Sequence, residues 1–108
     1  MIDYAAFEQI DIRAGTVLHA EPNAKARHPA FVLRIDFGPL GVKTSSAQLT
    51  ERYTPDDLVG KQVLAVVNFA PKRVAGVVSE VLILACVGVG GTVLIAPGMP
   101  VPNGVRVA

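Results

Sequence analysis

Hydrophobic and polar residues alternate most clearly between positions 31 and 37. Apolar side chains occupy every second position from Phe31 to Phe37, and the intervening positions include Arg34 and Asp36. A period of two residues is typical of a β-strand with one buried face, because successive side chains of a strand point to opposite sides. The pattern therefore predicts a strand whose apolar face lies on a core.

Similar apolar runs, separated by Gly and Pro, predict that most of the chain is β-structure. Further strands are expected over residues 12–21, 42–46, 62–69, 74–78, 81–87, 92–96 and 105–107, and Gly15 predicts a bulge in the first of them. Helical spacing predicts one short helix after Asp3, up to about residue 9, and another over residues 47–53. Thr54 and Pro55 then suit the start of a further turn. The pattern alone predicts a small all-β barrel or sandwich.

Composition limits the size and class of the protein. The 108 residues predict a single domain, 1–108, and the 51% hydrophobic and 18% charged content excludes a disordered chain. A domain this small cannot bury so much apolar material, so a subunit interface or an apolar groove is expected. The net charge of +1 is not the overall signature of a nucleic-acid binder, so any electrostatic site must be local.

The sequence also predicts the compartment. Cys86 is the only cysteine, which excludes an intramolecular disulfide, and the first residues lack the pattern of a signal peptide. No charged residue lies between positions 81 and 105, but glycines and prolines divide that span into strand-sized pieces. We therefore expect a cytoplasmic protein with no membrane insertion.

Catalytic and metal-binding patterns are weak. His19 and His28 lack ligand-like spacing, and Ser45 has no base or nucleophile-elbow motif beside it. The glycines at positions 88–91 lack the lysine and the following helix of a phosphate-binding loop. We therefore expect no enzyme, no catalytic residue, no metal and no cofactor.

The most informative segment is residues 67–80, where Lys72 and Arg73 are expected to project at a turn. This segment resembles the tRNA-binding domain with an oligonucleotide-binding (OB) fold, which also forms the C-terminal domain of methionyl-tRNA synthetases. The resemblance is closer to a stand-alone branch of that family, the export-related chaperones of the CsaA type. It is carried by Asp11–Gly15, Ile35–Gly38, Lys43–Gln48, Tyr53, Asn68–Arg73, Ser79–Val81 and Pro102–Gly104.

The resemblance implies a five-stranded Greek-key barrel with a short N-terminal helix, a helix between the third and fourth strands, and extra strands at the C-terminal end. It also implies a homodimer. The residues expected at its interface come from the N-terminal helix and the C-terminal strand: Tyr4, Phe7, Val101, Val105 and Val107.

Hydrogen-bond donors, cations and one aromatic ring cluster on and beside the third and fourth strands, which with their loops form the ligand face of this barrel type. They are Lys43, Ser45, Gln48, Arg52, Asn68, Phe69, Lys72, Arg73 and Ser79. Two ligands fit such a cleft: unfolded segments of precursor proteins, or tRNA as the alternative. Proteins that bind unpaired bases usually stack them on aromatic side chains. The chain has only four Phe, two Tyr and no Trp, which favours the polypeptide ligand. Phe69 could be a core ring or the wall of an apolar pocket.

Overall fold

The computed structural model describes all 108 residues and is built mainly of strands. Its elements are α1 (Tyr4–Glu8), β1 (Ile12–Pro22), β2 (Phe31–Asp36), a 3₁₀ turn (Gly38–Leu40), β3 (Val42–Ala47), α2 (Pro55–Leu58), β4 (Gln62–Val66), β5 (Lys72–Val74), β6 (Val77–Ser79), β7 (Leu82–Ile83), β8 (Ala85–Gly88) and β9 (Gly91–Leu94). The all-β prediction is confirmed, as are the N-terminal helix and a helix between the third and fourth strands.

Five antiparallel strands form a nearly closed barrel sheet in the order β3-β2-β1-β4-β7. The segment after β6 brings the two ends of this sheet together. The Glu80 amide donates to the Thr44 carbonyl over 2.8 Å, and the Thr44 amide donates to the Glu80 carboxylate over 3.0 Å. These bonds satisfy the edge of β3, which would otherwise expose unpaired backbone groups.

The predicted apolar face of β2 is confirmed. Phe31, Leu33, Ile35 and Phe37 are all buried in one core cluster. Facing strands and loops complete this cluster with Val17, Leu49, Leu58, Val63 and Val81, among others.

The predicted bulge at Gly15 is wrong. The pairing of β1 with β4 runs regularly through Gly15, and the register shift with β2 falls between Val17 and His19. Gly15 is needed for a different reason. A Cβ at this position would lie 2.7 Å from Ile35 Cγ2 and 2.8 Å from the Phe37 ring, so only glycine leaves room for these core side chains.

The helix between β3 and β4 begins later than the predicted residues 47–53. Ala47 ends β3 and residues 50–52 form a turn, with a single helical hydrogen bond from the Tyr53 amide to the Leu49 carbonyl. The extended Thr54 precedes Pro55, where a helical conformation is disfavoured. Thr54 then caps α2, since its hydroxyl accepts from the Asp57 amide while its own amide donates to the Asp57 carboxylate.

The C-terminal part adds the β8–β9 hairpin and a return segment along β1. The predicted strand over residues 105–107 is reduced to an isolated bridge between Arg13 and Arg106. The Ala14 amide donates to the Val105 carbonyl, and the Val107 amide donates to the Ile12 carbonyl. None of the helices has both the length and the apolar character that a membrane crossing requires.

Candidate binding groove

Two serines of the predicted site hold the barrel closed. The Ser45 side chain is 1% exposed, and its hydroxyl donates to the Val81 carbonyl over 3.0 Å. The Ser79 hydroxyl donates to the same carbonyl over 3.3 Å and accepts from the Ser46 amide over 3.2 Å. Ser45 therefore stabilises the junction of β3 with the segment after β6, and its hydroxyl is not accessible to a ligand.

Three adjoining cavities open around Ser46 at this junction, and together we call them the binding groove. The first is the Phe69 cavity, of about 320 Å³. Phe69, Lys72, Ser79 and Leu82 contribute to its wall. The Phe69 side chain is 55% exposed because β4 ends at Val66 and its alternation does not continue to position 69. Phe69 is thus a surface ring above a concavity.

The second is the aliphatic cavity, of about 400 Å³, which shares Ser46 and Leu82 with the Phe69 cavity. Gln48 stands beside it, and Val87 from β8 is largely exposed there. Apart from Ser46, Gln48 and Thr92, its lining side chains are apolar. A cavity of this composition suits aliphatic or aromatic side chains of a ligand.

The third is the basic cavity, of about 450 Å³, which shares Ser46 and Gln48 with the aliphatic cavity. Lys25, Arg27 and His28 line it from the loop between β1 and β2. The β5–β6 turn closes its other side. The groove therefore runs from a cationic end past Ser46 to two apolar cavities.

Two other predicted site residues lie elsewhere. The Asn68 side chain accepts from the Asp11 amide over 3.0 Å and donates to the Gln9 carbonyl over 2.8 Å. Asn68 thus fastens the link between α1 and β1. The Arg52 guanidinium lies against Gly90 in the β8–β9 turn, 3.2 Å from the point that a Cβ of Gly90 would occupy.

The prediction that Lys72 and Arg73 project at a turn is wrong, because both residues lie on a strand. Lys72 and Arg73 begin β5, and the turn to β6 is formed by Ala75 and Gly76 with φ of 48° and 82°. Two positive φ values match the twist of a tight hairpin. Both basic side chains are exposed, and Arg73 pairs with Val78. Lys43 is half-buried on β3 and stands outside the three cavities.

The cations of the groove have no acidic partners. The ion pairs of the structure are Arg13 with Asp11 and a longer contact of His19 with Glu21. The Arg13 guanidinium donates to the Asp11 carboxylate over 2.6 Å, and this hydrogen bond raises the pKa of Arg13. No group of three or more His, Cys, Asp or Glu side chains comes together as a metal site.

The predicted interface residues surround the N-terminal helix and the C-terminal return segment. Tyr4 is 71% exposed, and its ring lies 6.2 Å from that of Phe7. Val105 is exposed, while Val101 and Val107 are half-buried. None of these side chains lines the three cavities of the groove, and their place in a dimer interface stays a prediction.

Sequence reasoning missed several residues that line the groove, above all Ser46, Leu82 and the cations of the β1–β2 loop. The basic composition of residues 25–28 was the available signal, but only barrel closure brings that loop beside β3 and the β5–β6 turn.

Comparison with known families gives one match over most of the chain. A protein-family model described as "Putative tRNA binding domain" matches residues 12–106. Methionine–tRNA ligase from Flavobacterium johnsoniae is 35% identical over 108 residues, covering 99% of this chain. The enzyme from Bacteroides fragilis is 36% identical over 107 residues. The chain spans about 15% of the length of the F. johnsoniae enzyme.

Solved structures of whole chains are also similar. The chaperone CsaA from Bacillus anthracis is 54% identical with a TM-score of 0.95, and the match covers 100% of this chain and 99% of that one. The CsaA chaperone protein from Picrophilus torridus is 41% identical, with a TM-score of 0.95 and full coverage of both chains. A MetRS related protein from Pyrococcus horikoshii is 28% identical with a TM-score of 0.89, and the match covers 100% of this chain and 98% of that one.

Proposed function

This chain belongs to the family of tRNA-binding domains, and we propose from that premise that it is an export-related molecular chaperone. It holds extended or unfolded segments of precursor proteins in the binding groove before their export from the cytoplasm. Binding is passive and uses no cofactor. The observation that carries this proposal is the half-exposed Phe69 ring, which with Lys72 lines a cavity that adjoins the aliphatic cavity.

The composition of the groove favours polypeptide over unpaired bases. Neighbouring apolar cavities can take side chains of an extended segment, while rim donors meet its backbone carbonyls. Phe69 is the only Phe, Tyr or Trp among the residues that line the three cavities. A surface that stacks successive bases normally offers several such rings. The 54% identity to a chaperone over the whole chain supports the same choice.

The alternative is a tRNA-binding module. The description of the matched family and the similarity to methionine–tRNA ligases favour it. Lys72 and Arg73 are exposed and free of acidic partners, as phosphate contacts require. In this function the groove would hold unpaired bases, and the two cations would neutralise phosphates.

One titration separates the two functions. The same preparation is titrated with a permanently unfolded precursor protein and with bulk tRNA, across a salt series. A chaperone binds the unfolded chain with weak dependence on salt, because burial of apolar surface drives the association. A tRNA-binding module binds tRNA more tightly than it binds the unfolded protein. Its affinity for tRNA falls steeply as salt rises, because binding releases counterions from the phosphates and this release is less favourable at high salt.

Paired charge variants refine this test. If tRNA is the ligand, Lys72→Ala with Arg73→Ala reduces the salt dependence of tRNA binding by about two phosphate contacts. Lys61→Ala with Arg106→Ala is the matched control, since both residues are exposed and outside the groove. An unchanged slope in the first variant assigns Lys72 and Arg73 to polypeptide binding or to solvent.

The homodimer is part of the proposal. Tyr4, Phe7, Val101, Val105 and Val107 are expected to meet their counterparts in a second copy. A permanent interface of this kind buries upwards of about 2,000 Å² in total. Light scattering at micromolar concentration is expected to give twice the mass of one chain, and a mass of one chain would contradict the proposal.

A further inference from the structure

We propose that the basic cavity is an anion subsite for a carboxylate of the bound polypeptide, so that the groove selects segments in which an acidic residue adjoins apolar ones. This inference rests on the proposed chaperone function, since it assigns a chemical preference to the same groove. It concerns the β1–β2 loop, whose side chains no other part of the proposed function uses.

The cavity concentrates positive charge without a compensating acid. Lys25 and Arg27 face the same space of about 450 Å³ as His28, and no Asp or Glu lines it. None of these three side chains has a carboxylate within ion-pairing distance in the structure. The charges of Lys25 and Arg27 repel each other across this cavity, so an anion that enters is attracted by both.

The loop that carries these cations is held in shape before any ligand arrives. The Asn23 amide donates to the Ala30 carbonyl over 2.9 Å, and the Asn23 side chain accepts from the Lys25 amide over 3.1 Å. The Lys25 stem lies over Gly76, with Cδ 3.3 Å from the point that a Cβ would occupy. A prearranged site loses less conformational entropy on binding than a mobile loop.

The position of the basic cavity determines how a bound segment with an acidic residue is oriented in the groove. Ser46 and Gln48 separate it from the aliphatic cavity, and Val74 and Ser46 separate it from the Phe69 cavity. The only carboxylate lining the three cavities is Glu80, which accepts the Thr44 amide in the Phe69 cavity. A ligand carboxylate is therefore favoured at the loop end, with its apolar neighbours in the other two cavities.

The test uses the full chain and two short fluorescent peptides that share an apolar core. One carries Glu beside that core, and the other carries Gln at the same position. Anisotropy titration is expected to give about twofold to fivefold tighter binding of the Glu peptide, the size of effect that an exposed charge pair produces, because Lys25 and Arg27 are both exposed. In Lys25→Met with Arg27→Gln the two peptides should bind with equal affinity. Lys61→Met is the control and should keep the preference.

Each other result overturns the inference. Equal binding of both peptides by the natural chain leaves the chaperone function intact and removes the anion subsite. A preference for Glu that persists in the double variant places the anion elsewhere. No binding of either peptide overturns the proposed function and the subsite together. If the double variant loses tRNA binding and keeps its peptide preference, the cavity is a phosphate site.

Discussion

Truncation of the Phe69 ring is the sharpest test of the groove, because its expected effects on stability and on binding differ. The side chain is 55% exposed, so a little under half of its area is covered in the free protein. A Phe side chain can bury about 200 Å², so Phe69→Ala removes about 90 Å² from contact. At about 25 cal/mol per Å² the unfolding free energy falls by at most about 2 kcal/mol.

The expected loss of binding free energy depends on the part of the Phe69 ring that is exposed in the free protein. A ligand side chain that fills the Phe69 cavity would cover the exposed part of the ring. Truncation of such an interface anchor costs about 1–3 kcal/mol, or about a fivefold to 150-fold loss of affinity. The ring should therefore matter more for the ligand than for the fold.

The assay combines a chemical unfolding curve with peptide anisotropy on the same samples. Leu40→Ala is the matched control, because Leu40 is 40% exposed and lies on the 3₁₀ turn outside the groove. The control should lose a similar amount of stability and no affinity. A stability loss of about 3–5 kcal/mol in Phe69→Ala, with normal affinity in the folded fraction, would show a core ring and refute the assignment.

Three further predictions concern the frame of the groove. Gly15→Ala should lower the unfolding free energy by about 1–3 kcal/mol through overpacking of the core, whereas Gly98→Ala, with open space around it, should change it little. Ser45→Ala should cost about 1 kcal/mol, and Ser45→Ala with Ser79→Ala should cost more than the sum of the single changes, because the shared buried carbonyl then loses both donors. The hydrogen bond from the Thr54 amide lowers the pKa of Asp57 below its ordinary value of 3.8, so this carboxylate stabilises the fold above that pH and the effect disappears as pH falls through the lowered pKa. Asp57→Asn should therefore reduce the difference in stability between pH 6 and pH 3.

Strands with one fully buried face could be predicted from the sequence, since the core dictates their pattern. The face from Phe31 to Phe37 was found in this way. The same reasoning failed where a local irregularity breaks the period. The register shift after Val17 leaves Leu18 exposed, whereas Ala14 and Ala20, which an unbroken period of two would place on the same face as Leu18, are buried.

Short elements were harder because tertiary contacts decide them. Leu49 and Tyr53 have helical spacing, but Leu49 enters the barrel core and the Tyr53 hydroxyl accepts the Leu94 amide over 3.0 Å. The β5–β6 turn requires a positive φ at Ala75, which is uncommon for a residue with a side chain. Gly76 was a local signal for a bend, but Pro71 before Lys72 and Arg73 led to the predicted turn at the two basic residues.

The residues that carry the family resemblance and the residues that line the groove overlap only in part, and this limits what the resemblance can say about the ligand. Ser45, Asn68 and Ser79 belong to the resembling motifs, yet their side chains are engaged in internal hydrogen bonds. Leu82 and Lys25 lie outside those motifs and help to form the cavity walls. These three motif residues therefore stabilise the fold through internal hydrogen bonds. The choice between the two ligands depends on the lining of the groove, where one exposed ring, aliphatic walls and a cationic loop favour an extended polypeptide.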